Sequence, residues 1–92
     1  MPRFFIINPS DNVATALTDL DQGEVVDIDD RTITLAKPIE MGHKFAIESI
    51  TKDGEIIKYG EIIGIARKDI HPGDRVNENN IRSRDLVPRE ET

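Results

Sequence analysis

The residues able to do chemistry in this chain are few. There are two histidines and no cysteine, so thiolate catalysis and thiolate metal sites are closed to it. His43 stands in "GHK", directly after Gly42 and just ahead of the apolar run that begins at Phe45. An imidazole placed there can sit at the mouth of a strand, within reach of a ligand yet oriented by the backbone. Histidine titrates nearest neutral pH and is the commonest metal ligand, so proton transfer and ligation are both open to it. The competing reading is a surface histidine on a turn. His71, in "DIHPGD", precedes a proline and a turn glycine and reads as exposed.

Three polar clusters accompany the histidine. In "VNENN" (76–80), an extended strand would send Asn77 and Asn79 to one side and Val76, Glu78 and Asn80 to the other. That gives either a solvated loop cap or a patch of amide donors and one carboxylate suited to a polyhydroxylated ligand. In "SDN" (10–12), Asp11 and Asn12 are residues whose side chains bond local backbone in turns. In "IKYG" (57–60), Lys58 and Tyr59 would alternate between the faces of a strand, with the tyrosine at the edge of the core and its hydroxyl at water. A phosphate-cradling loop, a nucleophile elbow and a closely spaced histidine pair are all missing.

The elements that must hold these residues are short and β-like. Ninety-two residues suit one domain, and a composition 37% hydrophobic, with one Tyr, three Phe and no Trp, allows only an economical core. A turn unit recurs: an Ile or Leu, a short gap, a Gly, two residues and an apolar residue. It appears as "LDQGEVV", "IEMGHKF", "ITKDGEII" and "IHPGDRV". Gly23 and Gly42 are separated by the same interval as Gly54 and Gly73, which hints at two related halves. Between the turns, "FFIIN", "TITLA" and "EIIKYGEIIGIA" read as strands, with Gly60 and Gly64 marking bulges or bends. "NVATALTDL" fits a helix behind Asp11 as cap, or a strand, because Val13, Thr15 and Leu17 also alternate. The pattern predicts a mostly β domain over 1–80 and a loosely held, charged tail or connector over 81–92.

Twelve basic against eighteen acidic residues leave a net charge of −6, with no basic stripe and no interleaved aromatics. Such a chain is repelled by a phosphate backbone, which argues against nucleic acid as a partner. The four-residue apolar run Phe4 to Ile7 is too short for a membrane span or a signal-peptide core, and a soluble cytoplasmic protein is the expectation. Exposed strand edges would make a homo-oligomer possible.

The elements "DNV", "GHK", "KYG..IG" and "I..G..V" occur in order over roughly residues 4 to 81. Together they resemble the N-terminal module of the altronate and galactarate dehydratase family, to which the small subunit of sulfolactate sulfo-lyase is also related. The resemblance implies an SAF-type β-clip fold of short strands with a few small helical turns. It implies a role as small subunit or N-terminal domain of a sugar-acid hydro-lyase, beside a large catalytic subunit or domain that dehydrates altronate or galactarate with a divalent metal, typically iron. Its alternative is a non-catalytic SAF module that binds a sugar acid or helps assembly. Carried over residue by residue, His43 becomes the catalytic candidate, and Lys44, Asp11, Asn12, Lys58 and Tyr59 become substrate-binding candidates, joined by Asn77, Glu78 and Asn79. The altronate dehydratases and the sulfo-lyase resemble Val-His-x-His-Asn where this chain reads "VNENN", so both histidines are replaced, at Asn77 and Asn79. Glu78 lies nearer to the acidic cluster of the galactarate branch. Neutral amides are poor transition-metal ligands, so the resemblance implies a metal held mainly by the large partner.

Overall fold

A computed structural model describes residues 2–83, and all of its regular structure is β. Within the described residues, nine strands form three sheets. The central sheet has the order β1-β2-β5-β8, from Phe4–Phe5, Val13–Ala16, Lys44–Ala46 and Arg75–Val76, all antiparallel. Two hairpins flank it: β3 (Val25–Ile28) with β4 (Arg31–Thr34), and β6 (Glu55–Lys58) with β7 (Glu61–Ala66). β9 (Ile81–Ser83) adds to the free edge of β7. The mostly β reading holds. The small helical turns implied by the resemblance are absent among the described residues, and "NVATALTDL" resolves as β2. The folded part also runs past residue 80 into β9, where a loose tail was expected, while residues 84–92 lie outside the described ones.

The central sheet is covered on both faces, which explains why β2 is buried at every position instead of alternating. Ala14, Ala16 and Phe45 face the β3–β4 hairpin and join Leu20, Val26, Ile28, Ile33, Leu35, Ile39 and Ile47 in one core. Val13, Ala46 and Val76 face the other way and join Ile50, Ile56, Ala66 and Ile70 in a second core beneath β6–β7. Phe45 is the largest fully buried side chain. Phe4 meets it edge-on at 5.8 Å between ring centroids, so its removal would cost about 3–5 kcal/mol.

The two cores belong to two copies of one backbone motif. The pairing of Leu20 with Ile39 is repeated by Ile50 with Ile70. The bonds Gly23 N to Leu35 O, Gly42 N to Ala16 O and Ala16 N to His43 O are repeated by Asp53 N to Ala66 O, Gly73 N to Ala46 O and Ala46 N to Asp74 O. Equivalent residues are thus 30 apart at the start of each copy (16 to 46) and 31 apart at its end (42 to 73). The extra residue is a bulge: Ile56 pairs with Gly64 but Ile57 pairs with Ile62, leaving Ile63 between. The structural counterpart of Gly23 is therefore Asp53 at φ 72, not Gly54, so the expected glycine spacing was out of step by one residue.

Candidate functional site

The site begins at the β6–β7 turn. Lys58 pairs with Glu61 across a two-residue loop, Tyr59-Gly60, and both loop residues have positive φ (59° and 73°), the signature of a type I′ turn. Gly60 is at home there. Tyr59 is not: a side chain with Cβ in the left-handed region costs about 1–2 kcal/mol, and Asn or Asp is the usual non-glycine occupant. The equivalent tip of the first repeat uses Asp29, at φ 55. Tyr59 thus lies in the turn and not on a strand, is 54% exposed, and has the Lys58 Nζ 4.7 Å above its ring centroid.

A clasp from the chain's N-terminal segment fixes this tip. Asp11 is 2% exposed, and both of its oxygens are engaged: Oδ1 accepts from Gly60 N at 2.8 Å, and Oδ2 accepts from Tyr59 N and Asn8 N at 3.1 Å each. Asn12, also buried, donates from Nδ2 to Glu55 O and accepts from Ile57 N, both at 2.8 Å, so it spans the part of β6 opposite the bulge in β7. Both residues have their hydrogen-bonding oxygens turned to backbone, which makes them positioning groups for Lys58 and Tyr59. Asp11 also lines a cleft of about 380 Å³ shared with Ile28, Asp29 and Arg31 of the other hairpin tip.

Lys44 completes the cluster. Register places Phe5, Thr15, Lys44 and Val76 opposite one another in a row across the central sheet, on the face covered by β6–β7. Burial there pushes the Lys44 ammonium below its ordinary value of 10.5, the Lys58 charge lowers it further, and Tyr59 opposes the shift. Lys44 and the adjacent pair Lys58-Tyr59, distant in sequence, are thus within electrostatic range of one another: two ammoniums and a phenol near a hairpin tip.

Residues 2–84 match the altronate/galactarate dehydratase SAF domain family. The chain belongs to that family. It is 43% identical over 81 residues to an altronate dehydratase of Escherichia coli K12 and 36% identical over 83 residues to one of Bacillus subtilis 168. It is also 36% identical over 77 residues to the galactarate dehydratase (L-threo-forming) of Escherichia coli K12. These alignments cover 88%, 90% and 83% of this chain but only 16%, 17% and 14% of the relatives.

The remaining candidates of this SAF domain lie on other turns. The His43 ring is half exposed, and its Nε2 lies 3.7 Å from Glu40 Oε1. Its repeat counterpart, the turn 71–74, carries the mirror arrangement, with His71 Nδ1 3.7 Å from Asp74 Oδ2. "VNENN" is not an extended strand beyond Val76. Asn77 Oδ1 accepts from Asn79 N and Asn80 Oδ1 accepts from Asn77 N, at 2.9 Å each, which closes an Asx turn. The same turn occurs at 8–11, where Asn8 accepts from Ser10 and Asp11 accepts from Asn8. Glu78 and Asn79 are exposed, while Asn77 lines a cleft of about 320 Å³ with Lys37, Lys68 and Arg75.

Among the described residues, no three His, Cys, Asp or Glu side chains gather to hold a metal ion. His43 and His71 each stand with a single carboxylate, so these residues do not fit a complete divalent metal site. No helix among them is long and apolar enough to cross a membrane. The sequence reading missed Lys37, Lys68 and Arg75. "AKPI" and "RKDI" are repeat equivalents, and aligning the two halves would have flagged the lysine they share.

Proposed function

We propose that this SAF domain is the substrate-contacting component of a sugar-acid hydro-lyase of the altronate or galactarate type. It lends Lys44, Lys58 and Tyr59 to an active site completed by a large catalytic subunit or domain. The observation that carries this reading is Tyr59: an aromatic residue kept at positive φ, exposed, over Lys58 and beside Lys44, by a buried carboxylate that grips its own backbone N–H. Strain retained at an exposed tip points to selection for what the tip presents.

Dehydration of a sugar acid removes the proton α to a carboxylate and expels a β-hydroxyl. Negative charge builds on the carboxylate as the proton leaves, so cations aimed at it stabilise the transition state more than the ground state. Lys44 and Lys58 would supply that charge, and the Tyr59 hydroxyl would bond a substrate hydroxyl. His43, exposed with Glu40 behind it, would face the catalytic partner as proton donor or acceptor. The divalent metal, iron by resemblance, would act as Lewis acid when bound, with ligands from the larger portion. Asn77 and Asn79, standing where the altronate branch resembles a histidine pair, favour the second reading, a sugar-acid-binding or assembly module without a chemical role.

The test is to produce the chain with its catalytic portion and follow keto-acid formation from altronate and galactarate. Tyr59→Asn should raise stability by about 0.5–1 kcal/mol, since left-handed strain is relieved and one exposed cation–π contact is lost. Turnover should nevertheless fall at least tenfold, and Lys44→Ala should do the same. Unchanged turnover in both variants would refute the catalytic role, and tight sugar-acid binding by the isolated chain would favour the second reading.

A further inference from the structure

The 320 Å³ cleft beside the 77–80 turn lies outside the lysine–tyrosine site. Arg75 shares the sheet row of Ala14 and Phe45, whereas Lys44 shares the row of Thr15 and Val76, so the two cationic groups are on opposite faces of the central sheet. Three separate segments build the cleft, and each is tied down. Ala36 N donates to Gly73 O at 3.0 Å, which brings Lys37 against the 71–74 turn. Arg67 N donates to Asn80 O at 2.8 Å, which brings Lys68 against the Asx turn, and Asn80 Nδ2 donates to Arg75 O at 2.7 Å. Lys37 and Lys68 occupy matching positions of the two repeats, and the crossing of the repeats' ends delivers both to one opening.

The charge balance of the cleft is unusual for a chain of net charge −6. Lys37, Lys68 and Arg75 converge there, and among the described residues none of them is within ion-pair distance of a carboxylate. Two acids also line it, each bonded to backbone through one oxygen, Asp69 Oδ1 accepting from Lys52 N at 2.8 Å and Asp74 Oδ2 from His71 N at 2.9 Å, so three cations stand against two carboxylates. Asn77 spends its Oδ1 on the turn, leaving its NH2 as a donor. A guanidinium fork and two ammoniums lining one opening suit a planar or tetrahedral oxyanion with two charges.

We propose that this cleft is a second site, distinct from the lysine–tyrosine cluster, which binds a small dianion, either a short dicarboxylate or a phosphate, between Lys37, Lys68 and Arg75. The ligand's two negative ends pair with cations that, among the described residues, have no carboxylate within ion-pair distance.

Titration of the full chain at constant ionic strength, read by amide NMR shifts, tests this with tartrate and inorganic phosphate as probes and sodium chloride as control. Tartrate or phosphate should give saturable shifts at Lys37, Lys68 and residues 77–80, and the tighter probe identifies the ligand class. Arg75→Gln, and separately the exposed pair Lys37→Gln/Lys68→Gln, should weaken binding at least tenfold, while Lys44→Ala should leave it unchanged. Shifts that fail to saturate by about 10 mM, that chloride reproduces, or that survive both sets of variants would overturn the proposal. Because Lys44→Ala is read independently, loss of the sugar-acid reading would leave this result standing, and the reverse.

Discussion

Replacing Asp11 by Asn is the sharpest test of the clasp, because it changes no volume and removes only the charge and one acceptor. The wild-type carboxylate accepts three backbone N–H bonds, from Gly60, Tyr59 and Asn8. Hydrogen bonds to a charged partner contribute about 1.5–3 kcal/mol each. The carboxamide keeps one oxygen for Gly60 N and turns its NH2 toward the other two amides, so donors face donors; flipping the amide only changes which bonds are lost. The Tyr59 and Asn8 backbones border solvent, which lets water recover part of the loss. The expected cost is therefore about 2–3 kcal/mol, near the lower bound for two such bonds. A domain of this length has about 5–10 kcal/mol in total, so the urea midpoint should fall by about a third at unchanged slope. Amide exchange should accelerate most at Tyr59 and Gly60, because opening of the tip no longer breaks charge-assisted bonds. A loss below about 0.5 kcal/mol, or exchange that rises evenly over the chain, would show that the turn holds itself and that Asp11 is not its clasp.

Two further perturbations follow from the repeat and from burial. Gly42 and Gly73 are equivalents with φ of 89° and 94°, but a Cβ meets nothing within 4 Å at Gly42 and runs into the Thr34 carbonyl oxygen at Gly73. Gly42→Ala should cost only the left-handed strain of about 1–2 kcal/mol, whereas Gly73→Ala should cost clearly more in the same denaturation assay, and equal losses would contradict the packing of Gly73 on β4. Lys44, whose ammonium releases its proton more readily folded than unfolded, makes the unfolded state bind more protons just below pH 10.5, so its contribution to stability rises with pH through that window. Lys44→Met should flatten that alkaline rise in melting temperature, and a slope identical to wild type would mean the side chain is fully hydrated.

Much of the fold was legible because its signals are local. β-branched runs and turn glycines located β4, β6 and β7, and the recurrence of one turn unit announced two halves. The register of those halves was not legible. A β-bulge adds a residue without changing composition, and Asp53 can fill a left-handed position that the eye assigns to the neighbouring Gly54. β2 was ambiguous for a physical reason: covered on both faces, it has no polar side to alternate with. The site divides along similar lines. Lys44, Lys58 and Tyr59 were nominated as individuals, but only tertiary structure brings Lys44 within electrostatic range of the other two and shows that Asp11 and Asn12 serve the tip through backbone bonds. "VNENN" misled because an alternating polar string fits a strand as well as a capped turn, and the closing bond from Asn80 to Asn77 has no compositional mark beyond asparagine itself.

The repeat gives a reason for the asymmetry of the molecule. Both hairpins end in two-residue tips, yet the first is Asp29-Asp30 behind Ile28 and the second is Tyr59-Gly60 behind Lys58. A tip of Asp29 type can hold a left-handed residue at little local cost, so it needs no outside support. The Tyr59 tip does, and it has what the first tip lacks among the described residues: a buried carboxylate from the preceding segment bonded to both of its amides. A duplicated frame can thus keep one copy plain while the other takes on a strained, exposed aromatic side chain, as long as a clasp offsets the strain. The bulge at Ile63 falls in that same second hairpin, and Asn12 bonds β6 directly across from it. Bulge and aromatic tip belong to the second repeat, and the clasp that reaches them comes from the segment ahead of the first, so the asymmetry between the copies is concentrated at the β6–β7 hairpin.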